Sequence, residues 1–159
     1  MWTEKQVECI CWSIALPGFG QLRNGKLVKG LTLIVLEMLI NVYAHLNRII
    51  ISSFNGQISG SIEQANDQWL MFYPCLYMFA MWDAYRDAGG GTKPYSVLPF
   101  AFGAYMGTVG IIYSRLWLGP VWLGLIGLAV GLLVGHLLRR LLTRLAQNQK
   151  AKEGRPEHS

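Results

Sequence analysis

The sequence predicts an all-α membrane protein, a polytopic bundle of four transmembrane helices preceded by a short N-terminal helix. Three observations predict this fold class. Apolar residues make up 52% of the 159 residues and charged residues only 14%, whereas about 25% of the residues of a soluble globular domain are charged. The charges stand in short blocks, and the apolar runs between these blocks are long enough to cross a bilayer. Glycine and proline signals that end helices fall between the runs.

The predicted elements follow from where the apolar runs begin and end. Residues 5–17 hold an apolar stretch of roughly ten residues, half of the ~20 that a perpendicular span requires. This segment is predicted to be a short helix, interfacial or half-inserted, and a complete span that begins near Trp2 is the alternative. Residues 52–68 are predicted to form a polar loop. The four predicted spans cover residues 30–51, 69–85, 95–113 and 118–138. One domain over residues 1–145 and a polar basic tail over residues 146–159 complete the prediction.

The positive charges predict which side of the membrane each loop faces. Cytoplasmic loops of membrane proteins carry an excess of Lys and Arg, and in the four-span arrangement eleven of the fourteen such residues lie on one side. They are Arg23, Lys26, Lys29, Arg86, Lys93, Arg139, Arg140, Arg144, Lys150, Lys152 and Arg155. That side, with the C-terminus, is predicted to be cytoplasmic. The basic tail lacks the aromatic residues that a nucleic-acid-binding segment interleaves, so anionic lipid is its expected partner and nucleic acid is not.

The most specific pattern in the sequence is the polar turn between the short helix and the first span. Pro17 removes a backbone donor and Gly18 frees the backbone, so the preceding helix must end there. Asn24 and Gly25 form a strong turn signal because both tolerate positive φ. The whole pattern consists of Pro17, Gly18, Gly20, Gln21, Asn24, Gly25, Lys29 and Gly30. It predicts a hairpin between two membrane segments.

The hairpin prediction has a mutational consequence. Gly18 or Gly20 should not accept Val, because one of them is expected at positive φ or in tight packing. The same change at Gly90 should be tolerated, since the loop that contains Gly90 is expected to be exposed.

This turn resembles the hairpin of the small bacterial membrane proteins related to the TM2 domain, in which a P-G-x-G-Q-x-Y-N-G-type turn joins two hydrophobic segments. The end of the second span resembles the D-A-Y-[RK] ending of the next span in that group, through Asp83, Ala84, Tyr85 and Arg86. The resemblance covers residues 12–88, and Arg23 stands where an aromatic residue is usual. It implies a multi-pass protein of a bacterial cytoplasmic membrane and brings no settled activity and no cofactor.

Asp83 and the hairpin are predicted to lie at the same, cytoplasmic side. A carboxylate at that depth needs several hydrogen-bond donors, and a glycine-rich turn can present bare N–H groups. Asp83 is therefore predicted to meet the backbone donors or the Lys and Arg of the turn. The alternative is that Asp83 and Arg86 are solvated charges at the end of a helix.

Polar residues interrupt one face of the first span. At about 100° per residue, Glu37, Asn41, His45 and Arg48 fall close together on a helical wheel. Glu37 is expected near the middle of a ~30 Å hydrocarbon core, where a carboxylate is costly. Two interpretations stay open. These residues form a proton or cation relay, or a neutral Glu37 is hydrogen-bonded to another helix and holds the bundle together.

The sequence contains no pattern that is typical of an enzyme. It has no HExxH motif, no GxSxG motif, no P-loop and no GxGxxG after a strand, so neither catalysis nor a metal or cofactor is predicted. The three cysteines, Cys9, Cys11 and Cys75, are expected to be small packing residues rather than a metal site or a disulfide framework.

Glycines repeat at intervals of four in the last two spans. These are Gly103, Gly107, Gly127, Gly131 and Gly135. Such rows let helix backbones approach closely. They are predicted either to pack the third span on the fourth or to pair two copies of the protein.

The sequence thus favours a non-enzymatic accessory or interaction subunit of a bacterial membrane complex. The alternative is an ion, proton or small-solute permeation component that uses the polar face around Glu37. The two differ in what Glu37 must do, because permeation requires a group that takes up and releases charge whereas a structural role requires only a hydrogen bond.

Overall fold

A computed structural model describes residues 3–153 of the chain, with side chains up to Gln149. The regular elements of this part are all helical, as the sequence predicts. In chain order they are α1 (Glu4–Ala15), α2 (Phe19–Arg23), α3 (Leu27–Ala44), α4 (Leu46–Phe54), α5 (Ile58–Gln64), α6 (Asp67–Leu70), α7 (Phe72–Asp87), α8 (Leu98–Ile112) and α9 (Gly119–Glu153). A 3₁₀ turn, Ser114–Leu116, lies between α8 and α9.

Helix α1 is bounded by local signals in the sequence. The Thr3 hydroxyl accepts a hydrogen bond from the backbone N–H of Gln6 at 3.3 Å, and the Gln6 side chain accepts one from the Thr3 N–H at 3.2 Å. This reciprocal capping box satisfies two donors at the start of the helix. The helix ends at Ala15, ahead of Pro17, and Gly18 has a φ of 109° that reverses the chain into α2.

The long helices α3, α7, α8 and α9 pack side by side in that order, each antiparallel to the next. Lys29 at the start of α3 contacts Asp83 at the end of α7. Phe100 at the start of α8 packs on Tyr85, also at the end of α7, with 6.2 Å between the ring centroids. The contacts between α8 and α9 are the most extensive between any two helices in the described part of the chain.

Glycines explain how closely α8 and α9 approach. A Cβ atom at Gly127 would lie 2.2 Å from the carbonyl oxygen of Met106, and one at Gly131 would lie 2.2 Å from that of Phe102. Backbone thus meets backbone, which only glycine permits. The glycine row of α9 therefore packs the last two helices together inside one chain, which is the first of its two predicted uses.

The first predicted span, residues 30–51, is not one continuous helix. Helix α3 ends at Ala44, and His45 adopts the left-handed conformation with a φ of 58°. The following segment holds this end in place. The Asn66 N–H donates to the Ala44 carbonyl at 3.5 Å, and the Gln64 carbonyl lies 2.9 Å from His45 Nδ1. These tertiary contacts hold the end of α3 at Ala44, whereas the prediction expected one helix to continue to residue 51.

Two other predictions are corrected at the ends of the bundle. Residues 52–68 are not a plain loop, because they contain the end of α4, all of α5 and the start of α6. Buried serines hold this region together, with 2.7 Å between the hydroxyls of Ser53 and Ser61. Helix α9 continues to Glu153, so the predicted tail over residues 146–159 is helical in its first part. Residues 154–159 lie outside the described residues.

Two helices of the described chain are long and apolar enough to cross a membrane. They are Leu27–Ala44 and Gly119–Gln149, and Leu98–Ile112 is apolar but shorter. Helix α7 has 16 residues. Length and composition therefore show two candidate spans and do not confirm four.

Candidate functional site

Helix α2 places two side-chain amides on the backbone of α7. Gln21 is fully buried, and its Nε2 donates to the Ala80 carbonyl at 2.8 Å. Asn24 Nδ2 donates to the Ala84 carbonyl, also at 2.8 Å. Ala80 and Ala84 are one helical turn apart and fully buried, so their small side chains let α2 approach α7 closely. The side-chain amide oxygen of Gln21, Oε1, is buried without a partner among the described residues, so the two amide nitrogens make the contacts with α7.

Charged groups surround Asp83, which is 2% exposed. Lys29 Nζ donates to its two carboxylate oxygens at 2.9 and 3.2 Å, and Arg86 Nη2 donates to it at 2.7 Å. Gln21 Nε2 donates to it at 3.2 Å, and Lys29 also binds Asp87 at 2.8 Å. We call these five residues the Asp83 cluster. Its two carboxylates face two cations, so the buried charge is compensated.

The predicted contact between Asp83 and the turn is thus present, and the alternative of a solvated carboxylate is wrong. The hydrogen-bond donors to Asp83 are side chains, whereas one part of the prediction expected backbone N–H groups. Side chains of Gln21, Lys29 and Arg86 reach the carboxylate, rather than bare N–H groups of the turn. Side-chain donors hold Asp83 to α2, α3 and its own helix at once, which a backbone nest in the turn alone would not do.

The glycines of the turn have steric reasons to be glycine. Gly18 has positive φ, and a Cβ there would lie 2.5 Å from the Gly30 carbonyl oxygen. A Cβ at Gly20 would lie 2.2 Å from Ser13 Oγ and 2.5 Å from the Cys9 carbonyl oxygen. Since real Cβ atoms do not approach other atoms so closely, either substitution must move backbone.

Helix α1 makes polar contacts with the turn around α2 and with α7. The Cys9 thiol is buried and lies 3.3 Å from Asn24 Oδ1. Burial raises the pKa of the Cys9 thiol, so the thiol is protonated at neutral pH and donates to Asn24. Arg23 forms an ion pair with Glu8 at 2.8 Å. The Tyr77 hydroxyl donates to the carbonyl of Ile14.

Gly90 is not in an open loop, so the expectation of an exposed position is wrong, and the reason to expect that a substitution is tolerated there is lost. Gly90 is buried, and its N–H donates to the Tyr85 carbonyl at 2.9 Å. A Cβ there would lie 2.5 Å from the Tyr85 ring. The residues at the end of α7 therefore also contact the glycines that follow, and the Tyr85 ring packs against Gly90.

The polar face predicted on the first span is divided by the break at His45. Glu37 is 6% exposed, and Asn41 Nδ2 donates to its carboxylate at 3.4 Å. His45 and Arg48 lie past the end of α3 and are exposed. His45 is bound to the Gln64 carbonyl at 2.9 Å, not to Glu37. The structure thus keeps Glu37 and Asn41 together and does not join them to His45 or Arg48.

Asp87 is a cluster member that sequence reasoning missed. It lies four residues after Asp83, so the two carboxylates share one face of α7. Lys29 bridges them, at 2.9 Å from Asp83 and 2.8 Å from Asp87. This spacing was the available signal.

No group of three or more His, Cys, Asp or Glu residues that could hold a metal ion occurs in the described part of the chain. The arrangement of the Asp83 cluster is suited to fixing helices against one another, since each cation is bound to a carboxylate. None of the protein-family models, curated proteins or solved structures compared with this chain matches it.

Proposed function

We propose that this chain is a small four-span protein of a bacterial cytoplasmic membrane that acts by binding a partner protein, as an accessory subunit. The observation that carries the proposal is the internal closure of the Asp83 cluster. Its charged groups bind one another across α3 and α7, and the Gln21 amide of α2 donates to Asp83. The most specific residues of the sequence are thus used for assembly. Charges that pair with one another hold the helices together and are not themselves the binding surface, so in this proposal the partner contacts the outer faces of the bundle.

Exposed apolar side chains support the membrane placement. On α3, Val28 and Val42 are 79% and 67% exposed, and on α9 Leu133 and Leu137 are 65% and 63% exposed. Apolar surface of this extent is costly in water. A bilayer or a membrane partner covers it at no such cost.

The lengths of the two shorter helices are compatible with four spans. Helices α6 and α7 are separated only by Met71, which keeps α-helical dihedrals. Residues 67–87 therefore run almost without interruption over about 30 Å, the thickness of a hydrocarbon core. Helix α8 has 15 residues, and a 3₁₀ turn follows it after Tyr113, so the helical residues from 98 to 116 are about as many as a short span requires.

The antiparallel packing supports the predicted orientation. Lys29 and Arg86 share Asp83, so the start of α3 and the end of α7 lie at one end of the bundle. Gly135 of α9 packs on Leu98 at the start of α8, so the arginines that follow Gly135 belong to this end as well. By the excess of Lys and Arg this end is cytoplasmic.

The first two helices form a re-entrant hairpin in this arrangement. Ile14 near the end of α1 contacts Tyr77 in the middle of α7, whereas Asn24 after α2 contacts Ala84 near the cytoplasmic end of α7. Helix α1 thus enters the bundle without crossing it, and α2 returns. This agrees with the half-inserted interpretation of the N-terminal segment.

Permeation is the second candidate, favoured by the burial of Glu37. This carboxyl group is inside the bundle, bonded to Asn41 and near the α7 side chains Tyr73 and Tyr77. An ionisable residue inside a membrane bundle is a common mark of an ion or proton pathway. The exposed position of His45 removes the second station of the predicted relay.

Glu37→Gln separates the two functions. Gln keeps hydrogen-bonding capacity but cannot take up or release a proton. Under the binding role, vesicles with the wild-type or the Glu37→Gln chain should show equal proton flux, measured with an enclosed pH-sensitive dye. Both chains, isolated in mild detergent, should carry the same partner.

The matched control is Glu63→Gln, which changes an exposed acid on α5. A proton flux that the wild type and Glu63→Gln carry but Glu37→Gln lacks would contradict the binding role and establish permeation.

A further inference from the structure

An apolar cavity of about 290 Å³ lies between α4, α7, α8 and the start of α9. Its deep wall is made of side chains that are almost completely buried, among them Leu46, Ile49, Leu70 and Ile111, which are at most 6% exposed. The break after α3 contributes to it, because α4 leaves the axis of α3 at His45. The cavity is separate from the Asp83 cluster, which lies at the other end of α7.

The cavity opens on the outer surface of the bundle. Two of its lining residues are strongly exposed, Phe54 at 63% and Leu125 at 49%. They mark its rim, and Trp122 packs on Phe54 there, with ring centroids 4.9 Å apart. Leu125 belongs to the helix segment that is long and apolar enough to span a membrane. The mouth therefore faces the surface that lipid covers in the proposed placement.

The walls and the size decide the chemical class of the occupant. The lining side chains are apolar except for the hydroxyls of Tyr73 and Tyr77, and the Tyr77 hydroxyl already donates to Ile14. Water is poorly held in such a space, because it needs two to four polar partners. An apolar cavity of roughly 150 Å³ binds benzene, so one of about 290 Å³ accommodates a longer hydrocarbon segment.

We propose that this cavity binds one acyl chain of a bilayer phospholipid. The proposal rests on the membrane placement argued above. An unfilled apolar cavity costs stability in proportion to its volume, and the occupant that fills it is the one present at highest concentration at its mouth. At a mouth formed by Phe54 and Leu125, within the hydrocarbon region, that occupant is lipid. A bound acyl chain would hold α4 against α9 and fix the outer end of the bundle.

The test fills the cavity from one wall. Val121 of α9 lines the cavity, and Val121→Phe adds an aromatic ring to it. Val130→Phe makes the same chemical change on an exposed position of the same helix. The full-length chain in detergent is titrated with long-chain phosphatidylglycerol, and lipid adducts are counted by native mass spectrometry. Wild type and Val130→Phe should show one saturable adduct, and Val121→Phe should weaken it roughly tenfold or more.

Two further arms make the result decisive. Leu125→Trp narrows the rim of the cavity without changing its deep wall, and it should weaken the same lipid adduct. It keeps the proposal testable in the case that Val121→Phe does not fold. Dihexanoyl phosphatidylglycerol keeps the headgroup and shortens the chains, so its adduct should be weaker than that of the long-chain lipid. Equal adducts in wild type and both cavity variants, or equal binding of the two lipids, would overturn the proposal. Lipid binding is measured in detergent, so a chain with the proposed membrane topology can still fail to bind lipid. A failure of this proposal is therefore distinguishable from a failure of the proposed function.

Discussion

Gly20→Ala should prevent the α1–α2 hairpin from packing and lower the free energy of unfolding by roughly 3 kcal/mol. The new methyl group would lie 2.2 Å from Ser13 Oγ, 2.5 Å from the Cys9 carbonyl oxygen and 2.7 Å from the Ala84 Cβ. Ser13 Oγ can rotate away, but the Cys9 carbonyl belongs to the backbone of α1, so that helix must shift. The measurement is unfolding of the purified chain in mixed detergent, followed by circular dichroism.

Gly60→Ala is the matched control for this prediction. Gly60 is also a helical glycine without positive φ, but a Cβ there meets nothing closer than 3.6 Å. Ala should therefore leave stability unchanged or raise it by up to about 1 kcal/mol through helix propensity. Equal stabilities of the two variants would show that the turn is an ordinary linker.

Asp83→Leu should cost about 2–3 kcal/mol of unfolding free energy, because it leaves Lys29 and Arg86 without their shared carboxylate. Removal of one partner of a buried ion pair costs about 3–5 kcal/mol. The lower figure is expected here since the side chains of Lys29 and Arg86 are 43% and 52% exposed, and water screens their charges. Gln21 also loses one of its two acceptors. The same unfolding measurement applies.

A double-mutant cycle distinguishes the pair from a general loss of packing. Lys29→Met combined with Asp83→Leu removes both charges, so the double variant should lose less stability than the sum of the single variants. Glu8→Leu serves as the control, because its ion pair with Arg23 is exposed on both sides and should contribute less than about 1 kcal/mol. Strict additivity at Asp83 and Lys29 would contradict the account of the cluster.

The sequence predicted the helical fold and the meeting of its two motifs because both follow from local signals. Pro17 and Gly18 end α1, and the small residues of α9 mark a close helix contact, as the structure confirms. The contact between Asp83 and the turn followed from placing both at one end of the bundle, whereas the choice of Lys29 rather than backbone donors did not. Such inferences need only periodicity, turn chemistry and the side on which a charge lies.

The parts that the sequence did not predict depend on contacts with distant residues. His45 has no Gly or Pro beside it, so the strongest local signals for a helix end are absent there. The end of α3 is fixed by Gln64 and Asn66, some twenty residues later. Gly90 is only five residues from Tyr85, but the Tyr85 ring that covers it also packs on Phe100 of α8, a contact between two helices. Propensity and pattern carry no information on either contact.

The central claim is that the chain is a multi-pass membrane protein with a cytoplasmic C-terminus. It is tested by labelling cysteines at each end of the bundle with a membrane-impermeant thiol reagent. Ser59→Cys lies on the exposed surface of α5, at the end of the bundle opposite the Asp83 cluster, and Gln149→Cys lies on the exposed surface near the end of α9. In intact cells the account predicts that Ser59→Cys is labelled above the wild-type background of Cys9, Cys11 and Cys75, and that Gln149→Cys is labelled only after the membrane is permeabilised. Labelling of Gln149→Cys in intact cells, with Ser59→Cys protected, would contradict it.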